Sequence, residues 1–236
     1  MTEQLSKVWD VHNKSEKEIY RQSKIKQDYL LKHSRRYMFT LDNKTVLEYG
    51  FGDGYTLDRL ASYHCNVTGL DISKDNIKRV KEVMPYVKFK LIKPDGRIPF
   101  SDDSVDIIIA NGVIEHMEWG QLMRFIDECK RVLKFNGFLA ATVPENENLS
   151  QSKCVCPKCL NEFHRWGHKE SFSKGYIDFI FSYIGQKVLI KTFHIRYTSD
   201  NLIKRLAGFF NWTMRSLFGR WLELKGSYLF IYEKVK

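Results

Sequence analysis

The 236-residue sequence predicts an α/β fold, a doubly wound, mostly parallel sheet of seven strands with helices on both faces. Two observations carry that expectation. From Thr45 onward, short runs rich in Val and Ile alternate with amphipathic stretches, the rhythm of βαβ units. Two of these runs, VDIIIAN (105–111) and FLAATVP (138–144), are continuously apolar, as strands covered by helices on both faces are. The composition, 43% hydrophobic and 28% charged, suffices for a sizeable core.

Residues 15–38 read as a charged helix with a sparse apolar face, so 1–44 form a helical flank or lid. Residues 45–144 form the core. TVLEYG leads into the helix YTLDRLASY, NVTGLDIS into KDNIKRVKEVM, and VKFKLIK supplies a third strand. VDIIIAN is followed by the helix WGQLMRFIDECKRVLK, with Asn136-Gly137 as its stop before FLAATVP. A small Cys/His insertion, 145–172, comes after strand five. In 173–236 a helix near 173–184 precedes the strand KVLIKTFHI. Ile203, Leu206, Phe210, Met214, Leu217 and Trp221 then recur at helical steps within 199–224, broken near Gly208 or Gly219, and SYLFIYEKV is the last strand.

The net charge of +10 is uneven: residues 1–45 carry +4, 46–168 carry −1 and 169–236 carry +7. An anionic partner would therefore meet the ends first. No run approaches the roughly 18 apolar residues of a membrane span, and the first residues lack a secretory signal. Five cysteines, three of them clustered, suit thiols in a reducing compartment better than a disulfide framework. The expected location is cytoplasmic. Residues 202–222 mix Lys and Arg with Phe and Trp, which fits either an interfacial helix at a membrane surface or a wall of the acceptor pocket.

The first strand ends in Gly50, Gly52 and Gly54, with a helix starting at once. Such a turn lets the backbone approach a ligand and aims free N–H groups at it. Asp71, at the end of the second strand, stands where a carboxylate accepts from ribose hydroxyls. Counted from Gly50, a dinucleotide fingerprint needs glycine at position 55, where Tyr55 stands, and Glu48 suits a pyrophosphate poorly. NAD is disfavoured, and a cationic sulfonium with an amino-acid tail suits the acidic loop better.

Residues 45–144 resemble the class I S-adenosylmethionine-dependent methyltransferases of the type 11 kind, which have a Rossmann-like fold. The glycine loop of that family reads here Glu48-Tyr49-Gly50-Phe51-Gly52-Asp53-Gly54. The resemblance implies that this loop lines the methionine and ribose of S-adenosylmethionine, that Asp71 holds the ribose, and that Ile72 lies against the adenine. It further implies that Asp95, followed by Gly96, addresses the adenine amino group, and that Asn111 and Gly112 open the loop beneath the sulfonium. Val105 and Gly96-Arg97 depart from the family pattern near Asp95.

Methyl transfer mainly requires aligned and dehydrated reactants. For a hydroxyl acceptor a base helps, and Glu115, His116 and His168 are the candidates. Within CVCPKCLNEFHRWGH (154–168), Cys156, Cys159, His164 and His168 have a spacing that suits a tetrahedral structural Zn2+, with Cys154 as an alternative ligand. The segment Gly167 to Ser173 also resembles an HxxxFS stretch whose histidine faces the acceptor, so His168 is either ligand or site residue. The expected acceptor is a small molecule or glycan, methylated on O or N. RNA, a lipid-linked acceptor and a non-catalytic cofactor-binding adaptor are the alternatives, and the oligomeric state is open.

Overall fold

In strand β1 (Thr45–Tyr49), Leu47 and Tyr49 point into one apolar layer and Val46 into the other. In β9 (Gly226–Glu233), Tyr228, Phe230 and Tyr232 share the first layer, while Leu229 and Ile231 share the second. This period of two, apolar on both faces, belongs to strands in the middle of a covered sheet. The computed structural model describes residues 17–37, 41–194 and 226–235. Its sheet has seven strands in the order β3-β2-β1-β4-β5-β9-β8, the remaining members being β2 (Asn66–Asp71), β3 (Lys88–Leu91), β4 (Val105–Asn111), β5 (Leu133–Pro144) and β8 (Gln186–His194). All neighbours pair in parallel except β9, which is antiparallel to both β5 and β8.

Helices α4 (Trp119–Val132) and α5 (Lys174–Phe181) cover the first layer with Leu122, Phe125, Ile126, Ile177 and Phe181. On the other face lie α1 (Lys17–Tyr37), α2 (Tyr55–Ala61) and α3 (Lys74–Val83), which contribute Leu30, Leu31, Leu57, Leu60 and Val80. Side-chain caps fix where two of these helices begin. The Ser73 hydroxyl accepts from Asn76 N–H at 2.9 Å and the Ser173 hydroxyl from Tyr176 N–H at 3.1 Å. The doubly wound sheet expected from the sequence is therefore present. Because the chain runs outward from β1 to β3 and then returns to β4 beside β1, the switch point lies between β1 and β4, where such sheets hold ligands.

One boundary differs from expectation. Helix α4 ends at Val132, not at Asn136-Gly137, and β5 begins at Leu133. Asn136, at φ 61°, and Gly137 instead form an irregular step where the β4–β5 register shifts. A Cβ on Gly137 would stand 2.8 Å from the Lys134 carbonyl oxygen and 3.0 Å from that of Asp106, so glycine is required by close backbone approach. Strands β6 (Lys153–Val155) and β7 (Glu162–His164) form a separate antiparallel hairpin after β5. The helix expected at 199–224, and with it the candidate membrane stretch 202–222, lies outside the described residues. Among the described residues no helix is long and apolar enough to cross a membrane.

Candidate active site

The ends of β1, β2 and β4 meet at the switch point. Glycines 50, 52 and 54 all adopt positive φ, a conformation that side chains disfavour. Gly50 donates to the Leu70 carbonyl at 2.7 Å, and a Cβ there would come within 2.6 Å of Val113 Cγ2, so the glycine loop rests against the turn after β4. A Cβ on Gly52 would meet nothing within 4 Å. The loop is thus packed at its start and open at its middle, as a cradle for a ligand must be.

Glu48 is 1% exposed. Burial pushes its carboxyl well above the usual range, against hydrogen bonds from Thr56 and Leu57, and the nearby Asp53 and Asp71 add to the rise. Its Oε2 has no hydrogen-bond partner among the described residues. Asp71 is also buried, accepting from Ser73 N–H at 2.9 Å and from the Asn76 amide at 2.8 Å. The same Asn76 amide donates to the Gly52 carbonyl at 2.8 Å, tying the glycine loop to the carboxylate at the end of β2.

Tyr49 is a core side chain, edge-on to Phe125 with ring centroids 4.9 Å apart; only its backbone borders the loop. Ile72 is half-buried against the same layer. Asp95 is exposed and turns back to accept from Arg97 N–H at 3.0 Å, with Gly96 at φ 76°. Just beyond, Glu128 accepts from Ile98 N–H at 2.7 Å, and Arg131 donates to the carbonyls of Ile98 and Phe100, both at 2.9 Å. These two residues of α4 fix the 95–100 loop, and a sequence motif centred on Asp95 gives no sign of them. Asn111 accepts from the Thr142 hydroxyl and Gly112 takes φ 65°.

Glu115 is 3% exposed, and burial raises its carboxyl, opposed by His168. Its carbonyl accepts from Lys169 N–H at 2.7 Å and Glu170 N–H at 3.2 Å, so the end of the insertion is stitched to the turn after β4. His168 lies edge-on to His116 with centroids 4.7 Å apart and stacks on His164 at 4.9 Å. Its Nδ1 contacts the carboxylate of Glu147, a residue of the insertion to which the sequence assigns no role. All three base candidates gather here.

The four zinc-ligand candidates do not converge. Among the described residues, the two clusters of three or more metal-ligating groups are Glu115, His116, His168 and Glu147, His164, His168, neither with a cysteine. Alternation along β6 explains the division. Lys153 pairs with His164 and Cys154 with Phe163, so His164 takes the hairpin face opposite Cys154. Cys156 is held instead by hydrogen bonds from the backbone of Cys159 and Lys158 and from the Cys159 thiol, which lower its pKa.

Residues 47–141 match the methyltransferase domain family. The match takes in the glycine loop, Asp71, Asp95 and the turn after β4, and ends before the insertion. A Mycobacterium tuberculosis protein named "Probable S-adenosylmethionine-dependent methyltransferase" is 32% identical over 121 residues, 51% of this chain and 42% of that protein. The mitochondrial ubiquinone biosynthesis O-methyltransferase of Mus musculus is 27% identical over 117 residues, 47% of this chain and 31% of that protein. The chain thus spans less than half the length of these relatives.

Among solved structures, the PH0226 protein of Pyrococcus horikoshii superimposes with a TM-score of 0.62 at 20% identity, covering 91% of each chain. Phosphoethanolamine N-methyltransferase 2 of Haemonchus contortus, solved with S-adenosyl-L-methionine, gives a TM-score of 0.59 at 13% identity, covering 89% of this chain and 53% of that one. At such identities the likeness is one of fold, the Rossmann-like sheet of methyltransferases.

Proposed function

We propose that the chain is an S-adenosylmethionine-dependent methyltransferase that moves a methyl group to an oxygen or nitrogen of a small-molecule or glycan acceptor. The observation that carries this reading is the loop at the switch point: Gly52 is open, the buried Glu48 just before it has an Oε2 without a hydrogen-bond partner among the described residues, and Asn76 ties Gly52 to the carboxylate of Asp71. A cationic cofactor with hydroxyls fits that set, because buried carboxylates are costly until they meet charge or donors. When bound, the cofactor supplies an electrophilic methyl on a sulfonium.

The chain's own residues do the rest. Glu48 and the Gly50–Gly54 backbone hold the methionine and ribose portion, with Asp71 on the ribose hydroxyls, and Asn76 fixes the distance between loop and carboxylate. Ile72 and the loop carrying Asp95 border the adenine, and Asn111 and Gly112 lie beneath the reacting centre. Glu115, His116 and His168 face the acceptor. Cys156 and Cys159 form the thiolate half of a structural zinc site in this reading, with Cys154 as a further ligand; His164 and His168 join it only if the hairpin rearranges.

Incubation with methyl-labelled S-adenosylmethionine and separate panels of sugars and phenols, RNA, and lipid-linked glycans tests the acceptor class. Label is expected in the first panel. Label confined to RNA or to the lipid-linked panel would replace that class, and cofactor binding without transfer to any panel would favour the adaptor.

A further inference from the structure

We propose that Glu115, His116 and His168 form a binding site for a divalent cation, with Glu147 as the carboxylate that orients His168. One ligand atom from each of the three lies within 4.8 Å of the others, a span that ligand bonds of about 2.0–2.2 Å close with small side-chain movements. The donors come from two segments already joined through backbone: the Glu115 carbonyl receives two N–H groups from 169–170. At Gly167 a Cβ would stand 3.7 Å from His116 Nδ1, so the two segments approach closely at the ligands themselves.

Protonation geometry selects this cluster over its neighbour. His168 Nδ1 meets the Glu147 carboxylate and so carries the hydrogen, which leaves the Nε2 lone pair for a metal. An imidazole that donates its other N–H to a carboxylate is the usual form of a ligating histidine. His164 is the reverse case. Its Nδ1 accepts from Trp166 N–H at 3.3 Å and His168 N–H at 3.1 Å, so its Nε2 holds the hydrogen and offers no lone pair. The Glu147, His164 and His168 group therefore lacks one ligand, while His168 keeps its Nε2 for the Glu115 group.

Glu115 supplies the independent sign of a missing partner, being 3% exposed with Oε2 lacking any hydrogen-bond partner among the described residues. Two imidazoles and a carboxylate suit zinc, cobalt or manganese better than calcium or magnesium. Three protein ligands also leave positions open, as catalytic sites do. The site adjoins the glycine loop through Val113, which lies against Gly50. Its open positions take the acceptor's oxygen or nitrogen, a role that rests on the methyltransferase reading, whereas cation binding itself does not.

Cobalt(II) chloride titrated into chelator-stripped protein is the test, read by visible absorption and by metal content after gel filtration. The Cys156→Ser/Cys159→Ser double variant, which lacks the thiolates of the separate zinc site, is expected to bind one equivalent of cobalt without thiolate charge-transfer bands. Glu115→Gln and Glu147→Gln should each weaken binding about 10- to 100-fold, and His116→Ala should abolish it. Cofactor binding measured by calorimetry on the same samples verifies folding and tests the methyltransferase reading separately. No bound cobalt, or cobalt with thiolate bands that is lost in the cysteine variant and unaffected by Glu115→Gln, overturns the proposal.

Discussion

Replacing Glu48 with Gln separates stability from function. The Glu48 carboxyl is 1% exposed, Oε2 has no hydrogen-bond partner among the described residues, and burial above all raises its pKa well above the ordinary carboxylate value. Because the folded-state pKa exceeds the unfolded one, the native state binds the extra proton. The associated stability is complete below pH 4.5 and is lost as pH rises through the folded pKa. For a chain of this size each kcal/mol moves Tm by about 2–4 °C. The cofactor-free Glu48→Gln protein, which never takes up the buried charge, should therefore melt higher than wild type at pH 8 and close to wild type at pH 4.

The same change removes a charged hydrogen-bond acceptor from the cofactor cradle, a loss of about 1.5–3 kcal/mol, or about 10- to 150-fold in affinity. Scanning calorimetry at the two pH values and titration calorimetry with S-adenosylhomocysteine measure both effects. A variant that melts lower at pH 8, or that binds the ligand as wild type does, would refute the assignment of Glu48 as a buried acid held ready for the cofactor.

Gly52→Ala should fold at a cost of about 1–2 kcal/mol for its positive φ yet lose cofactor binding in the same titration, since the methyl group enters the open cradle. Gly50→Ala, which collides with Val113, should lower Tm further. Asp106 accepts from Lys134 at 2.8 Å, Thr45 N–H at 2.9 Å and Lys44 at 3.3 Å, and against the opposing effect of burial these partners hold its pKa below 3.8. Asp106→Asn should destabilise by about 1 kcal/mol at neutral pH, both lysines being substantially exposed. By urea titration the difference from wild type should vanish as pH falls through the lowered pKa. In metal-free protein Cys156, with its lowered pKa, should alkylate first and buried Cys129 not at all, as peptide mapping after iodoacetamide would reveal.

Where chemistry and local pattern coincide, the sequence is easy to read. VDIIIAN became a buried central strand because continuous apolar side chains have no other stable location, and the glycines after β1 took positive φ because the sharp turn into α2 demands it. Tyr49 shows the limit. Its place in a loop motif suggests a ligand contact, whereas strand alternation sends its ring to Phe125. The cysteine and histidine cluster fails to converge for the same reason: spacing along the chain does not reveal which face of a hairpin each residue takes. Glu147, Asn76 and Arg131 act through partners 21, 24 and 33 positions away, contacts for which no local pattern exists. The boundary at Asn136-Gly137 differs from the sequence expectation because a glycine that ends a helix and one that permits a bulge look alike in sequence.

Titration calorimetry of the purified chain with S-adenosylmethionine, with NAD as the comparison ligand, goes to the heart of the matter. Saturable one-to-one binding of S-adenosylmethionine in the micromolar range, with no heat from NAD, is the expected result. Absent binding of S-adenosylmethionine, or tighter binding of NAD, would contradict the reading of the Gly50–Gly54 loop and Asp71 as a sulfonium-cofactor site.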